Sequence, residues 1–232
     1  MFTIISQKLY MEPLDLKSLA QQLRKPEGDK GKVVANQMNN GNLFINRLTI
    51  ENLDIKPGDK ILEVGMGNGA FVKEIVELES SVKYIGCDFS ETMIAEARSL
   101  NSELVAAGCA DFVLSSLNDL PFPDGSFNTV FTVNTIYFWV DPEKELKEIK
   151  RVLNKGGKLH IALRPKSVMK DMPFVKHGFQ LFDKEDVERL LISNGLVVTK
   201  IIEEPEPEVS LGELSLKMAT LIIIAEKAEP GS

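Results

Sequence analysis

Three glycines and a carboxylate have a spacing that is typical of nucleoside recognition. Gly65, Gly67 and Gly69 lie where the short β-branched segment Lys60–Gly65 leads into a helical one. Glycines at such a turn let the backbone approach a ligand closely, and the helix N-terminus offers free N–H groups. Asp88 ends the next predicted strand, about 20 residues further on, where a carboxylate can accept both hydrogen bonds of a ribose diol. A tight turn and a capping aspartate explain each feature singly, but the pair favours nucleoside binding.

Glu63 distinguishes between two classes of ligand for this turn. Gly65, Gly67 and Ala70 also fit the glycine pattern of NAD-binding proteins, so an NAD-dependent oxidoreductase is the alternative hypothesis. A carboxylate two residues before the first glycine would repel a pyrophosphate. It suits a cationic ligand with an amino group and no phosphate, and S-adenosylmethionine is such a ligand. A third hypothesis is a protein that binds this cofactor without turnover.

Four segments resemble, in the order of the family, signatures of the class I S-adenosylmethionine-dependent methyltransferases. They are Ile61–Gly69, Gly86–Met93, Leu120–Phe127 and Arg151–Gly157. More narrowly, the chain is similar to the small-molecule group that includes the ubiquinone/menaquinone C-methyltransferases. The resemblance implies an enzyme that transfers a methyl group from S-adenosylmethionine to a small-molecule acceptor by in-line displacement.

The same resemblance implies where the methionine and ribose parts of the cofactor bind. The turn formed by Gly65, Gly67 and Gly69 would pass under the methionine part. Glu63 would act near the ammonium group, mainly through water or backbone. Asp88 would hold the ribose hydroxyls.

Adenine, by the same resemblance, would lie between Phe89 and Met93, although core packing explains Met93 equally well. The family usually has Asp-Ala ahead of the Leu120–Phe127 segment, with the carboxylate near the adenine amino group. This chain has Ser116 and Leu117 there. A serine hydroxyl accepts one hydrogen bond but carries no charge, so the Leu117 backbone and apolar contacts would hold the base.

The sequence shows no dedicated catalytic motif, which suits methyl transfer. The leaving group departs neutral, so holding nucleophile, carbon and sulfur in line supplies much of the barrier reduction. A base is needed only when the nucleophile carries a proton. Asn134, after the fourth predicted strand, would orient the substrate or the methionine backbone. Tyr137 would face the sulfonium or the acceptor, with a packed aromatic turn as the alternative.

The two histidines have different expected roles. His177 lies in the Pro165–Phe182 loop, a loop that covers the site in this fold, so it is the candidate base, although an ordinary surface histidine explains it equally well. His160 lies in the apolar strand Leu159–Leu163 and is expected to be a satisfied core or edge histidine. The two are too far apart in sequence, and have too few companions, to predict a metal site.

Alternation of strand-like and helix-like segments predicts an α/β fold with a mostly parallel sheet and helices on both faces. The last two predicted strands, Leu196–Glu203 and Met218–Ala225, have no helix between them, which predicts an antiparallel pair. The resemblance implies a Rossmann-like seven-stranded sheet in the order 3-2-1-4-5-7-6 with the last strand antiparallel. The acidic Glu203–Glu213 loop suits a dimer contact, a lid or solvent-exposed chain, and the oligomeric state stays open.

The N-terminal part differs from the rest of the chain. We expect an N-terminal helical lid over residues 1–41, followed by an S-adenosylmethionine-binding methyltransferase domain over residues 42–228. Within the lid, Lys25–Lys32 is charged and glycine-rich and is predicted to be a loop, and Met38–Asn42 is predicted to be a turn. The basic side chains at the start of that loop would meet an anionic group of the acceptor.

The composition is that of an ordinary globular protein, and its charge disfavours one class of binding partner. The 232 residues are 44% hydrophobic and carry a net charge of −7, so a nucleic-acid partner is disfavoured. Two cysteines, Cys87 and Cys109, exclude a disulfide framework and suit a reducing compartment. No apolar run approaches the length of a membrane span, and the N-terminus shows no signal-peptide pattern. A cytoplasmic location is therefore predicted.

Overall fold

The structure is a computed structural model that describes residues 15–211 and 214–228, without the side chains of residues 209–211 and 214–216. Three of the sequence-based expectations concern residues that lie, partly or wholly, outside these ranges. The signal-peptide prediction, the first 14 residues of the predicted lid and residues 212–213 of the acidic loop lie outside the described residues.

A seven-stranded sheet forms the centre of the molecule. The strands in chain order are β1 (Lys60–Val64), β2 (Lys83–Asp88), β3 (Ala110–Leu114), β4 (Phe127–Val133), β5 (Leu153–Leu163), β6 (Val197–Pro205), β7 (Val209–Leu211), β8 (Leu214–Leu216) and β9 (Ala219–Glu226). The sheet has the order β3-β2-β1-β4-β5-β9-β6, and β9 runs antiparallel to both of its neighbours. Strands β7 and β8 form a separate hairpin in the connection between β6 and β9. The predicted order, with the seventh sheet strand antiparallel, is confirmed.

Helices cover both faces of this sheet. They are α1 (Leu16–Arg24), α2 (Gly28–Gly41), α3 (Leu43–Glu51), α4 (Val72–Leu78), α5 (Glu91–Leu100), α6 (Ser102–Ala106), α7 (Pro142–Val152), α8 (Lys166–Met169) and α9 (Lys184–Ser193), with a 3-10 turn at Ile136–Phe138. Successive strand residues point to opposite faces, so Leu62 packs with α7 and α9 while Ile61 packs with α4 and α5. The two resulting apolar clusters hold the strand ends in fixed positions.

Serine and aspartate are favoured helix N-caps, so the sequence predicts that Ser90 and Asp141 each start a helix, and both do. The Met93 N–H donates to the Ser90 hydroxyl at the start of α5, and the Lys144 N–H donates to Asp141 at the start of α7. Pro142 occupies the first position of α7, where its missing N–H has no cost. Helix α5 starts directly after β2, so its capping serine lies two residues from Asp88.

The predicted loop at Lys25–Lys32 and the predicted turn at Met38–Asn42 are largely wrong, because α2 runs through both. Gly31 explains the error at the first. A Cβ atom on Gly31 would lie 2.6 Å from the carbonyl carbon of Pro26, so this glycine permits close packing at the helix start. Glycine therefore marks a close backbone approach here, while its usual meaning in a charged segment is a loop.

His160 is buried as expected, but it is not satisfied. Its side chain is 0% exposed between Phe131 of β4 and Ile224 of β9, and neither ring nitrogen has a hydrogen-bond partner among the described residues. Burial lowers the pKa of His160 to about 4. The imidazole is therefore neutral in the folded protein near neutral pH, and its polar atoms are desolvated without compensation.

Replacing His160 by leucine is expected to stabilise the protein at pH 7 by about 1–3 kcal/mol, because it removes unpaired buried polar atoms. It should also flatten the pH dependence of stability. The unfolded chain binds the imidazole proton near pH 6.5 and the folded one only near pH 4, so this contribution is complete above pH 6.5 and is lost between those values. Between pH 7 and pH 5 the loss is about 2 kcal/mol.

Urea unfolding of both proteins at pH 5 and pH 7 measures this effect, with His177→Leu as the control for a half-buried histidine. A His160→Leu protein that keeps the full pH slope of the wild type would contradict the assignment.

Candidate functional site

The carboxyl ends of β1 and β2 lie side by side and bring the glycine turn next to Asp88. Val64 pairs with Cys87 in this parallel register. The Gly67 N–H donates to Asp88 Oδ2 at 3.1 Å, and the Ser90 N–H donates to Asp88 Oδ1 at 2.9 Å. Burial raises the pKa of Asp88 to about 6, and these backbone hydrogen bonds oppose that rise. The carboxylate therefore joins the turn to the start of α5 and keeps capacity for further donors.

The three glycines of the turn serve different needs, although all have positive φ values. A Cβ atom on Gly65 would lie 2.5 Å from the Thr135 methyl group, and one on Gly69 would lie 3.0 Å from Asn101 Nδ2. A Cβ atom on Gly67 would meet no atom within 4 Å. Gly65 and Gly69 thus let the turn pack tightly, while Gly67 leaves an open cradle that a ligand can fill. An open backbone of this kind is what the resemblance to the methyltransferases expects beneath the methionine part of S-adenosylmethionine.

Glu63 lies behind this turn with its side chain almost fully buried. The Tyr84 hydroxyl donates to Glu63 Oε2 at 2.6 Å. Burial raises the pKa of Glu63 to about 7; the Tyr84 hydrogen bond lowers it, and the charge of Asp88 raises it further. No cation pairs with Glu63 among the residues that the structure describes, and a buried carboxylate of this kind is suited to an incoming ammonium group.

A cavity of about 500 Å³ opens next to Phe89, the residue that follows Asp88, and Glu63 is not part of its wall. Its wall consists of Lys25, Glu27, Phe89, Glu91, Thr92, Leu114, Ser115 and Ser116. The structure thus brings Phe89 and Ser116 to one cavity. The Leu117 side chain packs into the core, and Met93 lies in the wall of a second cavity.

This second, smaller cavity of about 70 Å³ lies between the glycine turn and the N-terminal helices. Glu63, Gly65 and Gly67 form one side of it. Its wall also includes three carboxamides from α2, α3 and the residue between them, namely Asn39, Asn42 and Asn46. Sequence analysis missed them because it predicted a turn there. Their spacing of three and four residues, which places side chains on one helical face, was the available signal.

Two contacts attach the N-terminal helices over the larger cavity. The Gly28 N–H donates to the Thr92 hydroxyl at 3.1 Å, and the Ser90 hydroxyl contacts the Pro26 carbonyl. The Lys25 ammonium lies 5.8 Å from the centre of the Phe89 ring and pairs with Glu27 at 2.7 Å. The basic start of the predicted loop therefore lies at the cavity of Phe89 and Ser116, and its charge is partly compensated.

Tyr137 does not face either cavity, which differs from the expectation. Its ring is 2% exposed, and its hydroxyl accepts the Arg164 N–H at 2.6 Å. The Arg164 carbonyl and Asn134 Oδ1 lie 2.9 and 3.1 Å from the same oxygen as acceptors for its proton. Burial raises the pKa of Tyr137 further above its usual range. The hydroxyl is thus saturated by neighbours that it positions.

Asn134 contacts a residue of the smaller cavity's wall, whereas His177 belongs to neither cavity wall. Asn134, directly after β4, adopts φ +56° and donates through Nδ2 to Asn42 Oδ1 at 3.2 Å. A left-handed residue other than glycine is strained, and such strain is concentrated at functional sites. His177 is half-buried in the loop between α8 and α9, and neither cavity wall includes it.

The described residues also limit other kinds of site. None of the helices they form is both long and apolar enough to cross a bilayer. In the same ranges, no group of three or more His, Cys, Asp or Glu side chains is placed to hold a metal ion. Cys87 and Cys109 are not disulfide-bonded.

Comparison with known sequences gives one consistent result. Residues 62–161 match the family model described as "Methyltransferase domain". The uncharacterized methyltransferase YdaC of Bacillus subtilis is 34% identical over 125 residues, a match that covers 54% of this chain and 67% of that protein. The demethylmenaquinone methyltransferase of Paenarthrobacter aurescens is 28% identical over 171 residues, covering 72% of this chain and 59% of that one.

A solved structure supports the fold. The S-adenosylmethionine-dependent methyltransferase of Aquifex aeolicus superposes with a TM-score of 0.65 at 20% identity, covering 93% of this chain and all of that chain. The Rossmann-like arrangement of sheet and helices is therefore shared with this neighbour.

Asp88→Ala is expected to weaken binding of S-adenosylhomocysteine by about 1.5–3 kcal/mol, the size of a lost hydrogen bond to a charged group. Asp88→Asn should lose less affinity for S-adenosylhomocysteine, because one acceptor oxygen remains for the Gly67 or Ser90 N–H. Calorimetric titration measures both, and Asp111→Ala, which removes an exposed carboxylate of β3, is the control. An unchanged dissociation constant for Asp88→Ala would remove Asp88 from the site.

Affinity for S-adenosylhomocysteine should rise about fourfold from pH 6.5 to pH 8.5, because Glu63 ionises near pH 7 and only its charged form attracts the ligand's ammonium. Glu63→Gln should abolish this rise. Tyr84→Phe should move its midpoint upward, because the Tyr84 hydrogen bond holds the pKa of Glu63 down. Titrations across this range test the assignment, which fails if Glu63→Gln keeps the wild-type profile.

Proposed function

Because this chain belongs to the S-adenosylmethionine-dependent methyltransferases, an enzyme family, we propose that the acceptor of its methyl group is a small molecule. Family membership removes the NAD-dependent oxidoreductase and the binding protein without turnover as hypotheses. The finer questions concern which residues act and what kind of acceptor enters.

The cofactor supplies a methyl group on a sulfonium, and transfer needs the nucleophile in line with the carbon–sulfur bond. In our proposal Glu63 attracts the ammonium group, the turn at Gly67 cradles the methionine part, and Asp88 accepts the ribose hydroxyls. Phe89 and Ser116 contact adenine. Met93 and the Leu117 backbone complete the cofactor site, as the family resemblance implies.

The observation that carries the small-molecule proposal is the helical cover over the smaller cavity. Pro26, Ala35, Met38 and the three carboxamides enclose the space beyond Glu63. A volume of about 70 Å³ is far below the roughly 300–1,000 Å³ of typical ligand sites, so the cover must move outward to admit ligands. A cover that closes over the amino-acid part of the cofactor also limits the space at the neighbouring methyl group, which suits a small-molecule acceptor better than a polymer chain.

We assign the part of this cover formed by Pro26, Ala35, Met38 and Asn39 to the predicted lid, residues 1–41, and the part formed by Asn42 and Asn46 to the methyltransferase domain, residues 42–228. The net charge of −7 disfavours a nucleic-acid acceptor. In the lid, Lys25 and Lys32 are paired with Glu27 and Glu96, so they form no free basic patch. The cysteines without disulfides suit the reducing cytoplasm.

Transfer of labelled methyl groups from S-adenosylmethionine to fractions of a cell extract tests this proposal. Label should appear in the low-molecular-mass fraction and be absent from RNA and protein. Asp88→Ala is the matched control, because it should reduce the labelling through weaker cofactor binding. Label in RNA or protein that disappears with Asp88→Ala would overturn the small-molecule assignment.

If a base is used, His177→Ala should reduce turnover at saturating cofactor while leaving S-adenosylhomocysteine affinity within about threefold. This loop histidine reaches the acceptor only if the loop moves with the cover. An unchanged turnover number, measured with the acceptor that the fractionation identifies, would leave His177 with no catalytic part.

A further inference from the structure

A buried ion pair lies beside the smaller cavity, at the carboxyl end of β5. Arg164 Nε and Nη2 donate to the two oxygens of Glu206 at 2.7 and 2.8 Å. The two side chains are 10% and 7% exposed. Thr220 in β9 donates to Glu206 Oε1 at 3.0 Å. This bidentate geometry fixes the orientation of the guanidinium plane.

The other edge of this guanidinium faces the junction of α2 and α3. Arg164 Nη1 donates to Asn42 Oδ1 at 2.9 Å, and Nη2 donates to the Gly41 carbonyl at 2.6 Å. Asn134 Nδ2 also donates to Asn42 Oδ1. Because a guanidinium can only donate, the Asn42 oxygen must face Arg164. The Asn42 amide is therefore held in one orientation.

The nitrogen of the same amide remains available. Both N–H groups of Asn42 Nδ2 have no hydrogen-bond partner in the part of the chain that the structure describes, and Asn42 lies in the wall of the smaller cavity with Glu63 and Gly65. A fixed, uncommitted donor in a cavity wall is pre-organised to bind an acceptor group of a ligand.

The charges around the cavity indicate which ligand group this donor meets. Glu63 alone is charged among the described residues of the wall, and its carboxylate suits an ammonium group. The amino-acid part of S-adenosylmethionine also carries a carboxylate, which Glu63 repels and which no cation in this wall can pair. It therefore needs neutral donors in this wall, and Asn42 provides one.

We infer that Asn42 Nδ2 binds the α-carboxylate of the cofactor and that Arg164, held by Glu206, is the positioning residue that fixes and polarises this amide. Arg164 itself does not reach the ligand. Its positive charge acts through Asn42 Oδ1, which strengthens the N–H groups on the other side of the amide as donors. This inference rests on the cofactor use of the family and is independent of the acceptor.

Calorimetric titrations with S-adenosylhomocysteine and with its decarboxylated analogue, which lacks only the α-carboxylate, test it. The wild type should bind the decarboxylated analogue about tenfold more weakly. Asn42→Ala should weaken the binding of S-adenosylhomocysteine by about tenfold and the binding of the analogue by less than about threefold. Asn42→Asp, which keeps the oxygen that Arg164 and Asn134 use, should fold normally and weaken S-adenosylhomocysteine at least as much, because it places a like charge against the carboxylate. Asn40→Ala, which changes an exposed asparagine at the end of α2, should change neither affinity.

Arg164→Lys provides the readout for positioning. Lysine keeps the charge but cannot bind Glu206 and Asn42 at the same time in the fork geometry. Arg164→Lys should therefore lower the affinity for S-adenosylhomocysteine more than the affinity for the decarboxylated analogue. The loss should be smaller than the one caused by Asn42→Ala. A merely structural role would weaken both ligands alike.

Two outcomes would overturn the inference. Equal weakening of both ligands by Asn42→Ala and Asn42→Asp would mean that Asn42 only packs the cover. An unchanged affinity for both ligands would mean that the amide does not reach the cofactor. Failure of the small-molecule proposal is a separate result, because it depends on which fraction receives the label.

Discussion

The enclosure of the site depends on one buried ion pair, between Arg164 and Glu206. It joins β5 to the connection between β6 and β9, and its remaining donors bind the junction of α2 and α3. Burying two charges is costly and is repaid only when nearly every donor and acceptor is used. Here Thr220, Asn42 and the Gly41 carbonyl complete the set. An apolar pair could fill the same space, but it could not orient an amide toward the cavity.

The cover is thus held at two ends by different chemistry. At the Asp88 end the contacts are two neutral hydrogen bonds, made by Gly28 and Ser90, and a partly exposed ion pair between Lys32 and Glu96 at 3.1 Å, which water screens. At the Asn42 end the contacts are charge-assisted and buried. This difference favours opening at the Asp88 end, with the junction of α2 and α3 staying attached.

Sequence alone predicted the features that local chemistry determines. The glycine turn, Asp88 and the capping residue Ser90 each follow from a few neighbouring residues, and the strand alternation with the family resemblance gave the sheet order. The contacts around Asn42 were missed because Arg164 lies 122 residues away and Glu206 a further 42. Tyr137 was predicted near the acceptor because its position after β4 is correct, but its direction depends on the Arg164 backbone, which no local pattern reveals.

The order of the strands also bears on how the chain is made. Strand β9 follows β6 in the chain yet lies between β5 and β6. During synthesis on the ribosome, β5 therefore exposes an apolar edge until β9 has emerged, because β6 forms no ladder with β5. An unpaired apolar edge is a template for aggregation. Truncated or stalled chains that lack β9 would consequently be clients of chaperones, because only the insertion of β9 between β5 and β6 covers this edge.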